Sequence, residues 1–336
     1  MKAVQIKQFG VEHLAIADLP VPKPAKGEVL VRMKAAALQY LDLIVINGAV
    51  MPDLKLPHIP VSEGAGIVEE TGEGVSKWKP GDRVMIHFVQ EWIGGDPHPS
   101  TNAIRTGLQA QGTLTEYICI SAEALVRSPI NLTDEEASTL PVSGLTAWTN
   151  LVTLAGIRAG QTVLTQGTGG VSLAALQFAK AAGAKVIATT GSDDKREKLK
   201  QLGADEVINY KTNKNWSEEV NKLNNGSGVD ITLDMGGAAS LEQSILSVAM
   251  GGYVGLTGFL GGASVTFQLA PAIMNYVRLQ GNSVGSRSDF EDMVDAIEIN
   301  NIKPVVGMVV PFNEYQKGFE ALQKGQVFGK LVIRFN

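Results

Sequence analysis

The sequence predicts an α/β protein of two domains, one a small β-barrel and the other a doubly wound parallel sheet flanked by helices. Three observations support this expectation. The first 90 residues carry short apolar runs separated by Gly and Pro turns, strands and helices alternate between residues 162 and 279, and a glycine turn follows a strand near Gly167. A length of 336 residues suits about two domains.

Short strands dominate the N-terminal part of the chain. The pattern predicts strands at residues 28–35, 65–70, 83–88 and 114–120, with turn residues between them. Many short strands of this kind indicate a small barrel. Residues 90–112 have little periodicity and several Gly and Pro residues, so we expect a long loop of the type that often covers a functional site.

The rest of the chain alternates helices and strands, which predicts a parallel, doubly wound sheet. A helix is expected at 144–155, and the last segment is expected to return to the first domain. The first domain is therefore predicted at residues 1–130 and 284–336, and the second at 131–283. Beyond the glycine turn, we expect strands at 185–190, 206–208, 229–233, 253–256, near Leu279, at 305–311 and at 330–335, and helices at 194–202, 216–223, 241–248, 289–299 and 312–324.

The glycine turn has the layout of a dinucleotide-binding βαβ unit. Gly167 allows a tight turn, Gly169 lets the backbone approach a pyrophosphate, and the helix that begins near Gly170 directs its free N–H groups at that anion. The third motif position holds Ser172 instead of Gly, which is small enough for helix and strand to pack. The alternative is a purely structural glycine turn. The predicted cofactor contacts here are Gly167, Thr168, Gly169, Gly170 and Val171.

Composition excludes several classes of protein. The net charge is −5 and no Lys/Arg run is present, which argues against a nucleic-acid partner. The single cysteine, Cys119, excludes an internal disulfide and a cysteine-based zinc cluster. No stretch reaches 18 apolar residues, so we expect a soluble, cytoplasmic protein that acts on a small molecule without a membrane partner.

Several short motifs occur in a specific order along the chain: GAGIV at 64–68, GDRV at 81–84, LPVSGLTA at 140–147, QLGAD at 201–205 and GKLV at 329–332. With the glycine turn, they resemble the medium-chain dehydrogenase/reductase superfamily over essentially the whole chain. The resemblance implies a GroES-like β-barrel catalytic domain and a Rossmann domain. The branch that the sequence resembles most is that of the zinc-free quinone oxidoreductases and related reductases.

The resemblance also bears on zinc. In the zinc enzymes of the superfamily, the metal is held by a Cys, by a His before Glu-Gly, and by a further Cys or acid. The matching positions here look like Gln39, Ser62 and Val142, which are poor zinc ligands or none. We therefore predict a metal-free enzyme. Glu63 follows the missing His; it is either a structural carboxylate paired with backbone or Arg groups, which we favour, or a functional group.

The choice of nicotinamide cofactor depends on the end of the second strand of the βαβ unit. NAD enzymes place an acid there, on the ribose 2′-hydroxyl, and Thr190 is not an acid. Lys195 and Arg196 could bind a 2′-phosphate, or they could form a solvated helix face. Asp193 and Asp194 argue against a phosphate site unless they cap the helix. In the similar NADPH-binding reductases, equivalents of Gly191, Lys195 and Tyr210 surround the 2′-phosphate. NADPH is therefore preferred over NADH, with contacts at Thr190, Gly191, Ser192, Lys195 and Tyr210.

The resemblance implies further contacts at the nicotinamide. Thr146 would lie against the ring, Gly258, Phe259 and Leu260 would edge it, and Lys330 would approach from the returning segment. The alternative for Thr146 is an early-helix residue whose hydroxyl bonds backbone, as Thr commonly does.

Without zinc, another group must polarise the substrate oxygen. Gln39 and Tyr40 are the candidates, because they replace the metal-ligand loop, and Asp42 is expected to fix that loop. His87, Trp92 and Tyr276 are predicted to line the substrate pocket. His87 could equally be a satisfied strand histidine, and both aromatic residues could be core.

Three functions follow as hypotheses. The first is an NADPH-dependent, zinc-independent reductase that transfers hydride to a quinone, enone or related conjugated carbonyl. The second is a zinc-free alcohol or aldehyde oxidoreductase, and the third is an NADPH-binding protein without catalysis. We also predict a homodimer, because the family usually pairs Rossmann sheets edge to edge; residues 279–286 and 305–310 would supply edge strands.

Overall fold

The computed structural model describes residues 1–336, and it confirms the predicted α/β class. The chain divides into two compact units, one formed by Met1–Leu145 with Ser286–Asn336 and the other by Thr146–Gly285. The first unit extends beyond residue 130 because the segment after it packs on the barrel. There, Arg83 Nε donates to Asp134 Oδ1 at 2.9 Å, and two backbone N–H groups near Val142 donate to Glu63.

The first unit is built around a long strand that three other strands flank. The N-terminal strands are Lys2–Ile6 (β1), Leu14–Asp18 (β2), Glu28–Leu38 (β3), Glu63–Thr71 (β4), Arg83–Ile86 (β5), Tyr117–Ser121 (β6) and Leu125–Arg127 (β7), and two strands near the C-terminus, Val306–Pro311 (β14) and Lys330–Arg334 (β15), join them. The strand β3 pairs antiparallel with β4, β6 and β15, and its Val29, Val31 and Met33 side chains lie in the core. The sheet order is β14-β15-β3-β4-β5-β7, and β1 and β2 form a separate hairpin.

Helical structure in this part begins with Tyr40–Ile46 (α1), directly after β3, and continues with Asp134–Ala137 (α2) and Leu145–Trp148 (α3). The segment predicted as a helix at 144–155 is helical, but only α3 within it is α-helical. π-helical turns at Leu140–Gly144 and Thr149–Leu154 flank α3. The first has a local cause: Pro141 has no N–H, and the N–H groups of Val142 and Ser143 donate to Glu63 instead of to helix carbonyls.

The second unit is the predicted doubly wound sheet. Its six strands are all parallel and lie in the order β10-β9-β8-β11-β12-β13. The order reverses between β8 and β11, and in open α/β sheets ligands bind at the carboxyl ends of the strands at such a point. The strands are Thr162–Gln166 (β8), Lys185–Thr190 (β9), Glu206–Asn209 (β10), Val229–Asp234 (β11), Val248–Leu256 (β12) and Arg278–Gly281 (β13), and the helices are Gly170–Ala181 (α4), Arg196–Gln201 (α5), Trp216–Leu223 (α6), Leu241–Ser247 (α7) and Leu269–Met274 (α8).

The last segment returns to the sheet of the first unit. It consists of Arg287–Ile299 (α9), Val306–Pro311 (β14), Tyr315–Lys324 (α10) and Lys330–Arg334 (β15). β15 inserts between β14 and β3, so β14 forms one edge of this sheet, as β13 does in the other unit. No helix is long and apolar enough to cross a bilayer.

Candidate active site

The glycine turn has the backbone geometry that its sequence predicts. β8 ends at Gln166, Gly167 adopts a φ of +82°, and α4 begins at Gly170. A Cβ atom placed at Gly167 or Gly169 would meet nothing within 4 Å, so the space over the turn is open to a ligand. Ser172 is accommodated because its hydroxyl donates to the carbonyl of Gln166 at 2.6 Å, which joins helix to strand. The N–H groups at the start of α4 therefore face a space that an anion could occupy.

A cationic group of side chains lies beside this turn, within the second unit. Lys195 Nζ donates to the Thr168 hydroxyl at 3.2 Å, and burial together with the positive charges of Lys198 and Lys211 lowers the pKa of Lys195. Tyr210 and Lys211 cover Gly191 so closely that a Cβ there would lie 2.6 Å from the Tyr210 hydroxyl oxygen. Lys211 was not among the residues predicted from the sequence, although its position directly after Tyr210 could have indicated it.

One of the two acidic residues that argued against a phosphate site, Asp193, faces a cation. The Asp193 carboxylate lies 3.7 Å from the guanidinium of Arg196, so these two charges face each other. Neither Ser192 nor Lys195, at the two helix starts, makes a side-chain cap, and Asp193 does not cap the helix either. Thr190 ends β9 and is buried, with its hydroxyl bonded to the backbone of Ser192.

The loop that carries Phe259 and Leu260 is fixed by a buried carboxylate. The carbonyl of Asp234 accepts the N–H of Gly258 at 3.2 Å, while its side chain accepts the N–H of Gly237 at 2.8 Å and two serine hydroxyls from Ser240 and Ser244. Phe259 and Leu260 themselves are about half exposed. Asp234 was not among the residues predicted from the sequence, although an acid at a strand end followed by Met-Gly-Gly was a usable signal.

Thr146 is buried at the start of the second unit. Its hydroxyl donates to the carbonyl of Ser283 at 3.0 Å, and its own carbonyl accepts the side-chain amide of Asn150. The hydroxyl therefore bonds backbone, as in the alternative, but the accepting carbonyl lies 137 residues away in the sequence. Its contact with a nicotinamide ring stays a prediction.

In the first unit, Gln39, Ser62 and Asp42 form a continuous hydrogen-bonded chain. The side-chain amide of Gln39 donates to the Ser62 hydroxyl, and that hydroxyl donates to Asp42 Oδ1 at 2.9 Å. The Asp42 carboxylate also accepts the backbone N–H of Gln39 at 2.9 Å and that of Ser62 at 3.2 Å. Asp42 thus fixes the loop, as predicted. Gln39 is half-buried and Tyr40, the first residue of α1, is exposed.

The burial of Asp42 changes its acidity. The side chain is 2% exposed, and burial raises its pKa from 3.8 to about 7, although the Gln39 N–H, Lys330 and the Ser62 hydroxyl all act to lower it. The first turn of α1 consequently carries a carboxyl group whose pKa is close to neutral pH.

Glu63 and Lys330 form a buried ion pair in the same unit. The Lys330 ammonium contacts Glu63 Oε2 and donates to the Ser143 hydroxyl at 3.0 Å, while Glu63 Oε1 accepts the N–H groups of Val142 and Ser143. Glu63 is therefore the structural carboxylate that we favoured, paired with Lys instead of Arg. Lys330 is 6% exposed and is engaged by these partners. Its predicted approach to the cofactor stays a prediction.

The predicted pocket residues fall in different surroundings. His87 is fully buried, with its ring centroid 6.1 Å from that of Phe290. Trp92 is buried, and its carbonyl accepts the N–H of Arg287 at 2.9 Å, which attaches the 90–112 loop to the first turn of α9. Tyr276 lies in the second unit and is 73% exposed, and its N–H donates to the carbonyl of Ile273 at 3.2 Å; its place in a substrate pocket stays a prediction.

The donors available to a metal can be compared with these positions. In neither unit do three His, Cys, Asp or Glu side chains come together in a group that could hold an ion. At the three positions where the zinc enzymes have ligands, this chain offers an amide, a hydroxyl and the hydrocarbon side chain of Val142, and the first two are hydrogen-bonded to each other. These side chains do not fit a zinc ion.

Comparison with known proteins is consistent across both units. Residues 25–130 match the family "Alcohol dehydrogenase GroES-like domain", and residues 170–298 match "Zinc-binding dehydrogenase". A zinc-type alcohol dehydrogenase-like protein of Schizosaccharomyces pombe is 38% identical over 97% of this chain and 96% of its own. A solved NAD-dependent alcohol dehydrogenase is 38% identical over 100% of both chains, with a TM-score of 0.93. An acryloyl-coenzyme A reductase of Metallosphaera sedula is 31% identical over 99% of both chains.

These relatives match nearly the whole chain, and the families cover the barrel and most of the nucleotide-binding unit. The glycine turn, the parallel sheet and the returning β15 are all in the places that the resemblance predicted. The protein is thus an oxidoreductase of the pyridine-nucleotide-dependent kind, and the chain belongs to the medium-chain dehydrogenase/reductase superfamily.

Proposed function

We propose that this protein is an NADPH-dependent, zinc-independent reductase of conjugated carbonyl compounds such as quinones and enones. The observation that carries the proposal is the hydrogen-bonded chain of Gln39, Ser62 and Asp42. It places neutral donors where the zinc enzymes of the superfamily have metal ligands. Two of the matching names refer to zinc. Zn²⁺ prefers thiolate, imidazole and carboxylate ligands, and the one carboxylate of this hydrogen-bonded chain, that of Asp42, already accepts three hydrogen bonds.

The preference for NADPH is supported by the cationic group around Gly191. Burial and the two ammonium groups of Lys198 and Lys211 lower the pKa of Lys195, and no carboxylate is among the causes of that shift. A 2′-phosphate carries negative charge and several acceptor oxygens, so it would relieve this repulsion and receive charge-assisted hydrogen bonds. The hydroxyl group of NADH would do neither. The name of the NAD-dependent relative favours the opposite choice, and a direct comparison of the two cofactors is therefore needed.

Lys195→Ala and Lys211→Ala should each weaken NADPH binding roughly tenfold or more, because each removes one charge-assisted hydrogen bond. NADH binding should change less than about twofold, since no phosphate is lost. Fluorescence titration of the reduced nucleotides measures both constants. Lys222→Ala is the matched control: it removes an exposed lysine of the same unit that faces Glu219. Equal losses for NADPH and NADH would contradict a 2′-phosphate site.

The bound nucleotide supplies the hydride, so the chain must bind, orient and polarise the substrate. Hydride addition to the far end of a conjugated carbonyl moves an electron pair onto the oxygen, which then accepts a proton. A side-chain amide such as Gln39 and a phenol such as Tyr40 can both donate hydrogen bonds to that oxygen, and Tyr40 can also supply the proton. Its exposure is compatible with this role.

The substrate class is supported by relatives and tested by a panel. The acryloyl-coenzyme A reductase is named for a conjugated substrate, and a solved mycobacterial quinone oxidoreductase, 26% identical over 99% of both chains, has a TM-score of 0.83. We expect NADPH oxidation with quinones and enals that is unchanged after dialysis against EDTA. The absence of NADPH consumption across the panel, or activity that returns only with added Zn²⁺, would contradict the proposal.

A second candidate is a zinc-free alcohol or aldehyde oxidoreductase, which the names of the two 38%-identical relatives favour. It would use the same hydride geometry on a saturated carbonyl group. Reduction of NADP⁺ or NAD⁺ by an alcohol panel, with no turnover of quinones or enals, would select it over the first. The third hypothesis, binding without catalysis, has no support among these oxidoreductase relatives.

We also propose that the protein forms a homodimer through the second unit. All four residues of β13 are exposed at the edge of the sheet, and Ile273 and Met274 of the neighbouring α8 are 65% and 69% exposed. An exposed strand edge beside a large apolar face is suited to pairing with a second copy.

Ile273→Asp should convert a dimer to a 35.7 kDa monomer in sedimentation, because it places a charge in the contact. Ile299→Asp is the control, since Ile299 is 82% exposed in the first unit. A wild-type protein that sediments as a monomer would refute the dimer.

A further inference from the structure

We propose that Asp42 is a positioning residue that acts through the Ser62 hydroxyl to orient the side-chain amide of Gln39 toward the substrate oxygen. The inference rests on the proposed role of Gln39 and goes further, because it assigns a function to two residues that would not touch the substrate. It also explains why a buried carboxyl group without a direct ion pair is kept at the start of α1.

The direction of the hydrogen bonds follows from the number of hydrogens. A serine hydroxyl has one proton, and that of Ser62 is used toward Asp42 Oδ1 at 2.9 Å. The Ser62 oxygen can therefore only accept from its other neighbour. Of the two ends of the Gln39 carboxamide, only the Nε2 end can donate, so the chain decides which end faces Ser62.

The carboxylate is well placed to impose this direction because it cannot turn away. Asp42 Oδ2 accepts the N–H of Gln39 at 2.9 Å, and Oδ1 accepts that of Ser62 at 3.2 Å in addition to the hydroxyl proton. The side chain is almost fully buried, and the charged groups that act on it are Lys330 and Glu63. Above pH 7, where Asp42 is ionised, the two backbone bonds and the burial make it a fixed acceptor for Ser62.

The chemical consequence is a donor held ready for the reaction. Nε2 carries two hydrogens, and one is used by Ser62, so the other can bond a substrate oxygen as negative charge develops on it. If the amide were not fixed, its carbonyl oxygen would face the substrate in some of the molecules and would repel the developing oxyanion. Because the amide is held in the donating orientation before the substrate binds, this repulsion is avoided.

The orientation can be tested without any turnover. In protein labelled with ¹⁵N only at glutamine, the Gln39 side-chain signal is identified by its loss in Gln39→Ala. Asp42→Asn is isosteric, but its single amide oxygen cannot accept from both the Gln39 N–H and the two donors of Ser62, so its NH₂ group must face one side and the fixed pair of acceptors is lost. We expect the Gln39 signal to move in Asp42→Asn and in Ser62→Ala, but not in Asp53→Asn, an exposed aspartate of the same unit. An unmoved signal in the first two variants would overturn the proposal.

Kinetics provide the second measurement. We expect Asp42→Asn and Ser62→Ala each to lower kcat about tenfold with nucleotide binding unchanged, and the double variant to be no slower than Ser62→Ala alone. Fully additive losses would show that Asp42 does not act through Ser62 and would overturn the proposal, as would an unchanged kcat in both single variants. A wild-type protein that turns over no conjugated carbonyl contradicts the proposed function instead, and the nuclear magnetic resonance result then decides the orientation by itself.

Discussion

Lys330→Met should lower the stability of the first unit by about 3–5 kcal/mol, because it leaves a buried carboxylate without its cation. Glu63 is fully buried, and the remaining donors to it are the N–H groups of Val142 and Ser143. For a unit of this size, the loss corresponds to a fall in melting temperature of roughly 6–20 °C. Differential scanning calorimetry measures it.

A double variant separates the charge from the packing. In Glu63→Gln with Lys330→Met, the new amide oxygen can still accept the two backbone N–H groups, and no charge is buried, so the melting temperature should recover most of the loss. Nucleotide titration of Lys330→Met tests the other predicted role. If Lys330 contacts the cofactor, NADPH binding weakens as well; if Lys330 acts only on Glu63, binding is retained. A melting temperature within about 2 °C of wild type would contradict the ion pair.

The stability of the wild-type protein should decrease between pH 5 and pH 8 by about 3 kcal/mol through Asp42 alone. The pKa of this group is raised by burial to about 7 in the folded state, against 3.8 when the chain is unfolded. Between these values the folded state binds more protons than the unfolded state, so the free energy of unfolding falls as pH rises. The decrease is complete above pH 7, where the buried group is ionised.

Asp42→Asn isolates this contribution, because it removes the titration and leaves the other groups unchanged. Urea unfolding at pH 5 and pH 8 measures the free energy of unfolding of both proteins. The variant should become more stable relative to wild type as pH rises, and the loss from its altered hydrogen bonds should be the same at both pH values. A difference between the two proteins that is independent of pH would mean that Asp42 is ionised throughout this range.

The fold was largely predictable because period and turn chemistry are local properties of a sequence. Alternating apolar runs and glycine turns gave most strands of the second unit, and Trp216–Leu223 agrees with its prediction at both ends. The helix Tyr40–Ile46 was missed because its sequence, YLDLIVI, has almost no polar face to reveal a helical period. The strand Leu14–Asp18 was also missed, because it has only five residues and pairs only with β1.

The candidate site was predictable in part. The glycine turn, Lys195 and Tyr210 follow a sequence motif, and the structure brings their side chains and turns together in one unit. The bonds of Asp42 to Ser62 span 20 residues and that of Lys330 to Glu63 spans 267, so no local pattern could reveal them. Long-range contacts of this kind depend on strand pairing, here of β15 with β3 and of β3 with β4.

The discontinuity of the first unit affects how the chain can fold as it leaves the ribosome. Residues Thr146–Gly285 are contiguous and can fold once they have emerged, whereas β3 has to wait for β15, its neighbour in the finished sheet. At 5–20 residues per second, the wait is about 15–60 seconds, during which an apolar strand edge is open to incorrect pairing. A circular permutant beginning at Ser286 would join the two pieces in sequence and remove this delay.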